Sequence, residues 1–137
     1  MRTTAELIAI LKRDYARFPA EQTYEIYADD VLFVDPLNRF RGRERYRRMI
    51  GFMAGWFRQM RLDLHTIEAE ERRILTRWTL NWTAPLPWQP RIRVDGWSEL
   101  QVCEQGLIVA HIDYWDTPRL DVLRQHLGGA VTKPESK

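Results

Sequence analysis

Tyr27-Ala-Asp-Asp-Val-Leu-Phe-Val-Asp-Pro36 is the stretch that decides how this chain folds. An apolar run ends at an acid, a proline turns the chain, and after Gly42 a helix-patterned segment covers residues 43–57. The residue before a proline favours extended backbone, so a short strand over residues 31–35 fits the turn that follows it. That order puts the Asp35 carboxylate at the end of a buried strand, where poor access to water tunes an acid toward a useful base.

Toward the N-terminus, Thr3 and Glu6 have capping-box spacing, so a helix is expected to begin near Thr4. Leu7, Ile8, Leu11, Tyr15 and Phe18 then form one apolar stripe. Pro19 suits a helix start, and a second short helix is expected to end near Ala28, with Tyr24, Tyr27 and Ala28 on one side.

Toward the C-terminus, Tyr46, Met49, Ile50, Met53 and Phe57 recur at helical spacing. The period then changes to two, with Met60, Leu62 and Leu64 alternating with Arg61, Asp63 and His65. A long strand is expected over residues 72–83, then a loop at Ala84-Pro-Leu-Pro-Trp-Gln-Pro90. A hairpin of residues 91–103 and 107–115 turns at Glu104-Gln105-Gly106, where glycine can take a positive φ. Thr117-Pro118 opens a last helix, with Leu120, Leu123 and Leu127 on one face and Gly128-Gly129 at its end. The order predicts an α+β domain in which helices cover one face of a strongly curved antiparallel sheet. One domain is expected over residues 1–129, with a flexible tail at 130–137.

A chain of 137 residues with 45% apolar content suits a single core. Six tryptophans suit the walls of a pocket or an interface. A net charge of +2, from 21 basic and 19 acidic residues, gives no reason to expect a nucleic-acid partner. Cys103 is the only cysteine, which excludes an intrachain disulfide and a cysteine-based zinc site, and it is read as structural. No apolar run reaches the roughly 20 residues that span a bilayer, and the N-terminus does not resemble a signal peptide. A cytoplasmic protein without metal or cofactor is expected; His65 and His126 have no partners at ligand spacing.

Asp113 is the second candidate acid, lodged on a strand between Ile112 and Tyr114. If it faces the helices, His111 and Trp115 face there too, and His111 can orient it or share its proton. The alternative is a structural pair with Arg77. The long strand also has two readings. Ile74, Trp78, Leu80 and Trp82 either lie beneath the helices, with Arg77, Thr79 and Asn81 outside, or the reverse. Arg39, Arg41, Arg43, Arg45, Arg47 and Arg48 form either a solvated helix face or a grip for phosphates.

Tyr27-Ala-Asp-Asp30, Val34-Asp-Pro36, Gly42 before a helix, and Glu104-Gln-Gly-Leu-Ile108 leading to Asp113-Tyr-Trp-Asp116 together resemble the nuclear transport factor 2-like superfamily, which includes SnoaL-like cyclases, ketosteroid isomerases and limonene epoxide hydrolases. The resemblance implies a cone-shaped curved sheet, the cystatin-like roll, over about residues 4–127. Ala84–Pro90 and Gly106–Asp116 look closer still to an uncharacterised family of cyanobacterial and plant proteins with this fold. Against ketosteroid isomerases, Asp35-Pro36 matches the general base, Tyr15 the oxyanion donor, Ser98 the position of a second acid and Trp115 a pocket tryptophan. Against limonene epoxide hydrolases, Asp113 matches the water-activating acid and Arg77 the arginine, while Thr79 stands where the other acid belongs. Neither set is complete.

Two functions therefore stay open. In the first, a small, largely apolar or aromatic molecule lies between helices and sheet, with Asp35 and Asp113 as polar contacts and Phe33, Trp78, Trp82 and Trp115 as walls beside Ser98 and His111. Catalysis there, as a cofactor-independent isomerase or hydrolase, uses Asp35 as base and Tyr15 as oxyanion donor. In the second, the protein is a non-catalytic interaction module whose open sheet face makes a homodimer or holds a partner protein; a homodimer through the sheet is expected in the first as well.

Overall fold

The computed structural model describes residues 1–128. The tail expected from residue 130, and the part of Gly129 in ending the last helix, lie outside the described residues. The chain forms α1 (Thr4–Arg17), a 3₁₀ turn (Tyr24–Ile26), β1 (Tyr27–Val34), β2 (Arg39–Arg41) and α2 (Arg43–Trp56). Next come β3 (Arg58–Glu70), β4 (Arg73–Thr83), β5 (Arg91–Val102), β6 (Ile108–Trp115) and α3 (Arg119–His126). The capping box is present: the Thr3 amide donates to Glu6 Oε1 at 2.7 Å, and the Glu6 amide to Thr3 Oγ1 at 3.1 Å.

Six strands make one sheet in the order β2-β1-β6-β5-β4-β3. The expected cone-shaped, strongly curved antiparallel sheet, the cystatin-like roll, is corrected on two counts. The sheet is mixed, because β1 runs parallel to β6 while every other neighbouring pair is antiparallel. It is also open, ending at β2 and β3, and neither closed nor strongly curled. The α+β arrangement, with the N-terminal helix over the sheet, stands. The parallel pair arises because β1 and β6 are joined by most of the chain and not by a hairpin, so nothing forces them to run oppositely.

The second expected helix is also absent. Tyr24–Ile26 makes a single 3₁₀ turn, and Tyr27 already pairs with Ile108 as strand. Asp35-Pro-Leu-Asn38 closes a hairpin to β2, a strand the reading of the sequence did not include. The later hairpin is as expected: Gly106 turns at φ +76°, and the Cys103 amide donates to Leu107 O at 2.9 Å.

Alternation along paired strands decides which side chains meet the helices. Ile74, Thr76, Trp78 and Trp82 of β4 are buried together with Ile92, Val94, Ser98 and Leu100 of β5. Leu7, Leu11 and Tyr15 of α1 and Tyr46 and Ile50 of α2 complete this core. The tryptophan side of β4 is thus the inner side. On β3, Leu62 and Leu64 sit beside Leu80 and Trp78, and a register shift between Leu64 and Thr66 returns Ile67 to the same face beside Thr76.

β5 is paired with β6 only from Gly96 onward, which leaves the backbone of its first half without a neighbour on that side. The chain after β6 covers this edge. Asp116 and Thr117 amides donate to Asp95 O at 2.7 and 3.3 Å. Buried Gln125 of α3 accepts from the Arg93 amide at 2.6 Å and donates to Arg93 O at 3.0 Å. Pointing Val122 and Gln125 inward turns Leu120, Leu123 and Leu127, grouped on one face by the sequence, outward, where they are exposed. Gln125→Ala leaves two backbone groups of β5 unpaired. A loss of about 3 kcal/mol in urea unfolding is expected; an unchanged midpoint contradicts this role.

Candidate functional site

Register brings three strands together on the inner face. Thr76 of β4 lies beside Ser98 of β5, and Ser98 beside Asp113 of β6. His111 and Trp115 share the face of Asp113, as alternation requires. Tyr15 of α1, Tyr46 of α2, and Tyr27 and Phe33 of β1 cover them.

The hydrogen bonds have forced directions. An indole nitrogen only donates, so Trp78 Nε1 donates to Ser98 Oγ, at 2.8 Å. The serine hydrogen is then directed to Asp113 Oδ1, at 2.5 Å. His111 Nε2 lies 2.8 Å from the same oxygen and, facing a carboxylate, carries the hydrogen. Oδ1 therefore takes two bonds, while Oδ2 is bonded to no described residue. The Asp113 side chain is 18% exposed and that of His111 9%. His111 Nδ1 is buried and has no partner among the described residues.

Aromatic rings line this small pocket. The His111 ring centroid lies 5.2 Å from Phe33, 5.7 Å from Tyr46 and 6.3 Å from Tyr27. The Tyr15 hydroxyl lies 3.1 Å from Thr76 Oγ1. Burial pushes the Tyr15 phenol well above its ordinary range, and the Asp113 charge adds to this against the pull of the Thr76 and Ser98 hydroxyls. Burial likewise raises Tyr27 and Tyr46, so all three keep their hydroxyl hydrogens across the neutral range.

Of the residues singled out from the sequence, Tyr15, Phe33, Trp78, Ser98, His111 and Asp113 meet here, with partly buried Trp115 beside Gly96. Asp35 follows Val34, the last residue of β1 paired with β6, and its carboxylate turns back into its own loop. Asp35 Oδ1 accepts from the Leu37 and Asn38 amides at 2.8 and 2.7 Å, and both oxygens accept from Asn38 Nδ2 at 3.2 Å. Trp82, near the other end of β4, stacks on Phe57 at 5.2 Å and does not join the cluster. Arg77 faces outward and pairs with Asp116 at 3.2 Å, so it is not the partner of Asp113. Tyr27 and Tyr46, read only as apolar-face residues, and Thr76 were not among the expected site residues. The 3₁₀ turn disguised Tyr27, whereas Thr76, between Ile74 and Trp78, carried a parity signal.

Other features lie apart. A groove of about 1020 Å³ runs between α1 and the free edge of β3, past Lys12, Phe18, Met60 and Ile67, and holds none of the clustered residues. Arg43 pairs with Asp29 at 2.7 Å, Arg41 donates to Asp30 O at 3.4 Å, and Arg47 lies over the Tyr24 ring, so half of the arginine run is turned onto the protein itself. Among the described residues no three His, Cys, Asp or Glu side chains converge as a metal site requires. No helix among them is long and apolar enough to cross a membrane.

The site depends on a missing side chain. A Cβ on Gly96 would stand 2.7 and 2.9 Å from the Trp78 ring and press on the Tyr114 carbonyl. Gly96→Ala is expected to push Trp78 off Ser98, shift the indole N–H resonance and cost about 2–3 kcal/mol, as overpacking does. An unmoved resonance with unchanged stability contradicts the placement.

The comparisons with known proteins agree with this fold. A family model described as "Uncharacterized conserved protein (DUF2358)" matches residues 5–111. No protein of curated function matches the chain. Among solved structures, a hypothetical protein of ketosteroid isomerase-like fold from Catenulispora acidiphila, in complex with trimethylamine, superposes with a TM-score of 0.72 at 16% identity, covering 96% of this chain and 100% of that one. An LEH-like epoxide hydrolase of M. tuberculosis gives 0.63 at 22% identity, over 90% and 84%. An NTF2-like protein of unknown function from Exiguobacterium sp. 255-15 gives 0.66 at 13%, over 80% and 99%. At such identities these likenesses speak to the nuclear transport factor 2-like fold alone.

Proposed function

The chain belongs to the DUF2358 family of uncharacterized conserved proteins, and we propose that it binds a small, largely apolar or aromatic molecule above the inner sheet face, with Asp113 as the polar anchor. The observation that carries this reading is the unequal treatment of the two carboxylate oxygens. Oδ1 is held by Ser98 and His111, which fixes the group, and Oδ2 is left for something else. A fixed, largely buried carboxylate with one free oxygen is suited to accept a proton from a ligand or from water, as a cofactor-independent isomerase or hydrolase needs. Neutral Tyr15, Tyr27 and Tyr46 hydroxyls are available to steady a developing negative charge. Asp35, with both oxygens committed to its loop, has the lesser part.

A second, non-catalytic reading is favoured by the outer sheet face. Trp97 and Tyr114 stack there at 4.2 Å, and Tyr114 is 40% exposed. In that reading this face makes a homodimer or holds a partner protein; a cytoplasmic homodimer of single-domain subunits without a nucleic-acid partner belongs to the first reading as well. Kinship with cyanobacterial and plant members of the family is part of the same proposal, and rests on Ala84–Pro90 and Gly106–Asp116.

Small aromatic fragments screened by NMR are expected to move His111 and Trp78 resonances. Asp113→Asn is expected to weaken the polar hits about tenfold or more, the usual effect of losing a hydrogen bond to a charged group. Fragments that bind while leaving those resonances still, or that bind the variant equally well, overturn the pocket reading.

A further inference from the structure

We infer that the Asp113 pocket selects a small organic ammonium ion, a primary to tertiary amine in its protonated form, over neutral carbonyl compounds of the same shape. This rests on the pocket reading above and adds the chemical class of the ligand.

The first ground is an inventory of hydrogens. The donors bonded along the Trp78–Ser98–Asp113 chain are spent: Trp78 Nε1–H on Ser98, the Ser98 hydroxyl on Asp113, and His111 Nε2–H on Asp113. The groups left over are lone pairs, on Asp113 Oδ2 and on buried His111 Nδ1. The tyrosine hydroxyls can take either part, so they do not alter the balance. A ligand that offers N–H bonds completes the set. A carbonyl oxygen brings another lone pair toward a carboxylate.

Charge is the second ground. The one cationic group within ion-pair distance of Asp113 among the described residues is His111, and only if protonated. An imidazolium would bury an N–H at Nδ1 without an acceptor, so the hydrogen bonding favours the neutral ring. Arg77, the nearest candidate from the sequence, is taken by Asp116 on the other face. The Asp113 charge is thus held by hydrogen bonds and not neutralised, in surroundings that disfavour a lone charge. An incoming cation relieves that cost.

The third ground is the walls. Tyr27, Phe33 and Tyr46 crowd the His111 ring at 5.2 to 6.3 Å, and Trp78 lies over Gly96 beside Ser98. Aromatic faces attract organic cations and pack against their alkyl groups. Carboxylate, lone pair and ring faces all ask for the same ligand.

The test uses three ligands of one shape on the whole protein at neutral pH: cyclohexylammonium, cyclohexanol and cyclohexanone. Binding is followed by His111 and Trp78 side-chain resonances, so that surface carboxylates do not register. Cyclohexylammonium is expected to bind at least about tenfold tighter than cyclohexanone, the scale of a charge-assisted hydrogen bond. Asp113→Asn is expected to erase that preference by weakening the ammonium ion about tenfold or more. If the ketone binds as tightly as the ammonium ion, and the variant weakens both, the pocket reading survives and the ammonium inference is overturned. If none of the three moves His111 or Trp78, both fall together. Should the variant fail to fold, the ranking on the natural protein decides by itself.

Discussion

A carboxylate on the helix-covered face of a sheet must have its charge answered, and Asp113 is answered from across three strands. Trp78 on β4 holds Ser98 on β5, and Ser98 with His111 holds Asp113 on β6. Each step relies on the one before, because a serine that receives an indole hydrogen has its own hydrogen directed onward. The arrangement also depends on Gly96, whose bare backbone lets the Trp78 ring lie against the sheet. Register, a missing Cβ and a directed hydrogen-bond chain together leave one carboxylate oxygen without a partner among the described residues, beside the ring-flanked His111.

The rest of the fold keeps that face intact. α1 and α2 bring Tyr15 and Tyr46 over the strands, and burial keeps their phenols neutral. At the far side of the pocket Tyr27 and Phe33 depend on β1 joining β6 in parallel, which the turn at Asp35–Asn38 then ends. Polar groups close the exposed half of β5, with Gln125 matching both backbone groups of Arg93. That closure leaves the leucines of α3 facing out. A satisfied backbone edge has outweighed an apolar stripe, which is the expected order when the alternative is a buried unpaired amide.

Much of this was legible before any coordinates. Thr3 and Glu6 announced α1, Gly106 announced the last hairpin, and alternation grouped His111, Asp113 and Trp115. Two readings of β4 stood open in the sequence, and the burial of its tryptophan side answers the need of helices for an apolar floor. What escaped had non-local causes. The parallel pairing of β1 with β6 links residues some eighty positions apart, beyond any periodicity, and it overturned the antiparallel cone. Asp35 read as a buried base because its neighbours are apolar, yet an acid before a Pro-Leu-Asn turn finds two amides within its own loop. Trp82 shares a face with Trp78, but the length of a strand separates it from Asp113. Side-chain period gives the face and says nothing of the distance along it.

The tautomer of His111 is the most direct measure of the Asp113 arrangement. Long-range proton–nitrogen NMR of the ring distinguishes a protonated Nε2 from a protonated Nδ1. A hydrogen on Nε2 and a bare Nδ1 are expected, with the Nε2 hydrogen shifted by its bond to the carboxylate. A hydrogen on Nδ1 with Nε2 bare would mean that Asp113 Oδ1 is not held as described, and the pocket would lose its anchor.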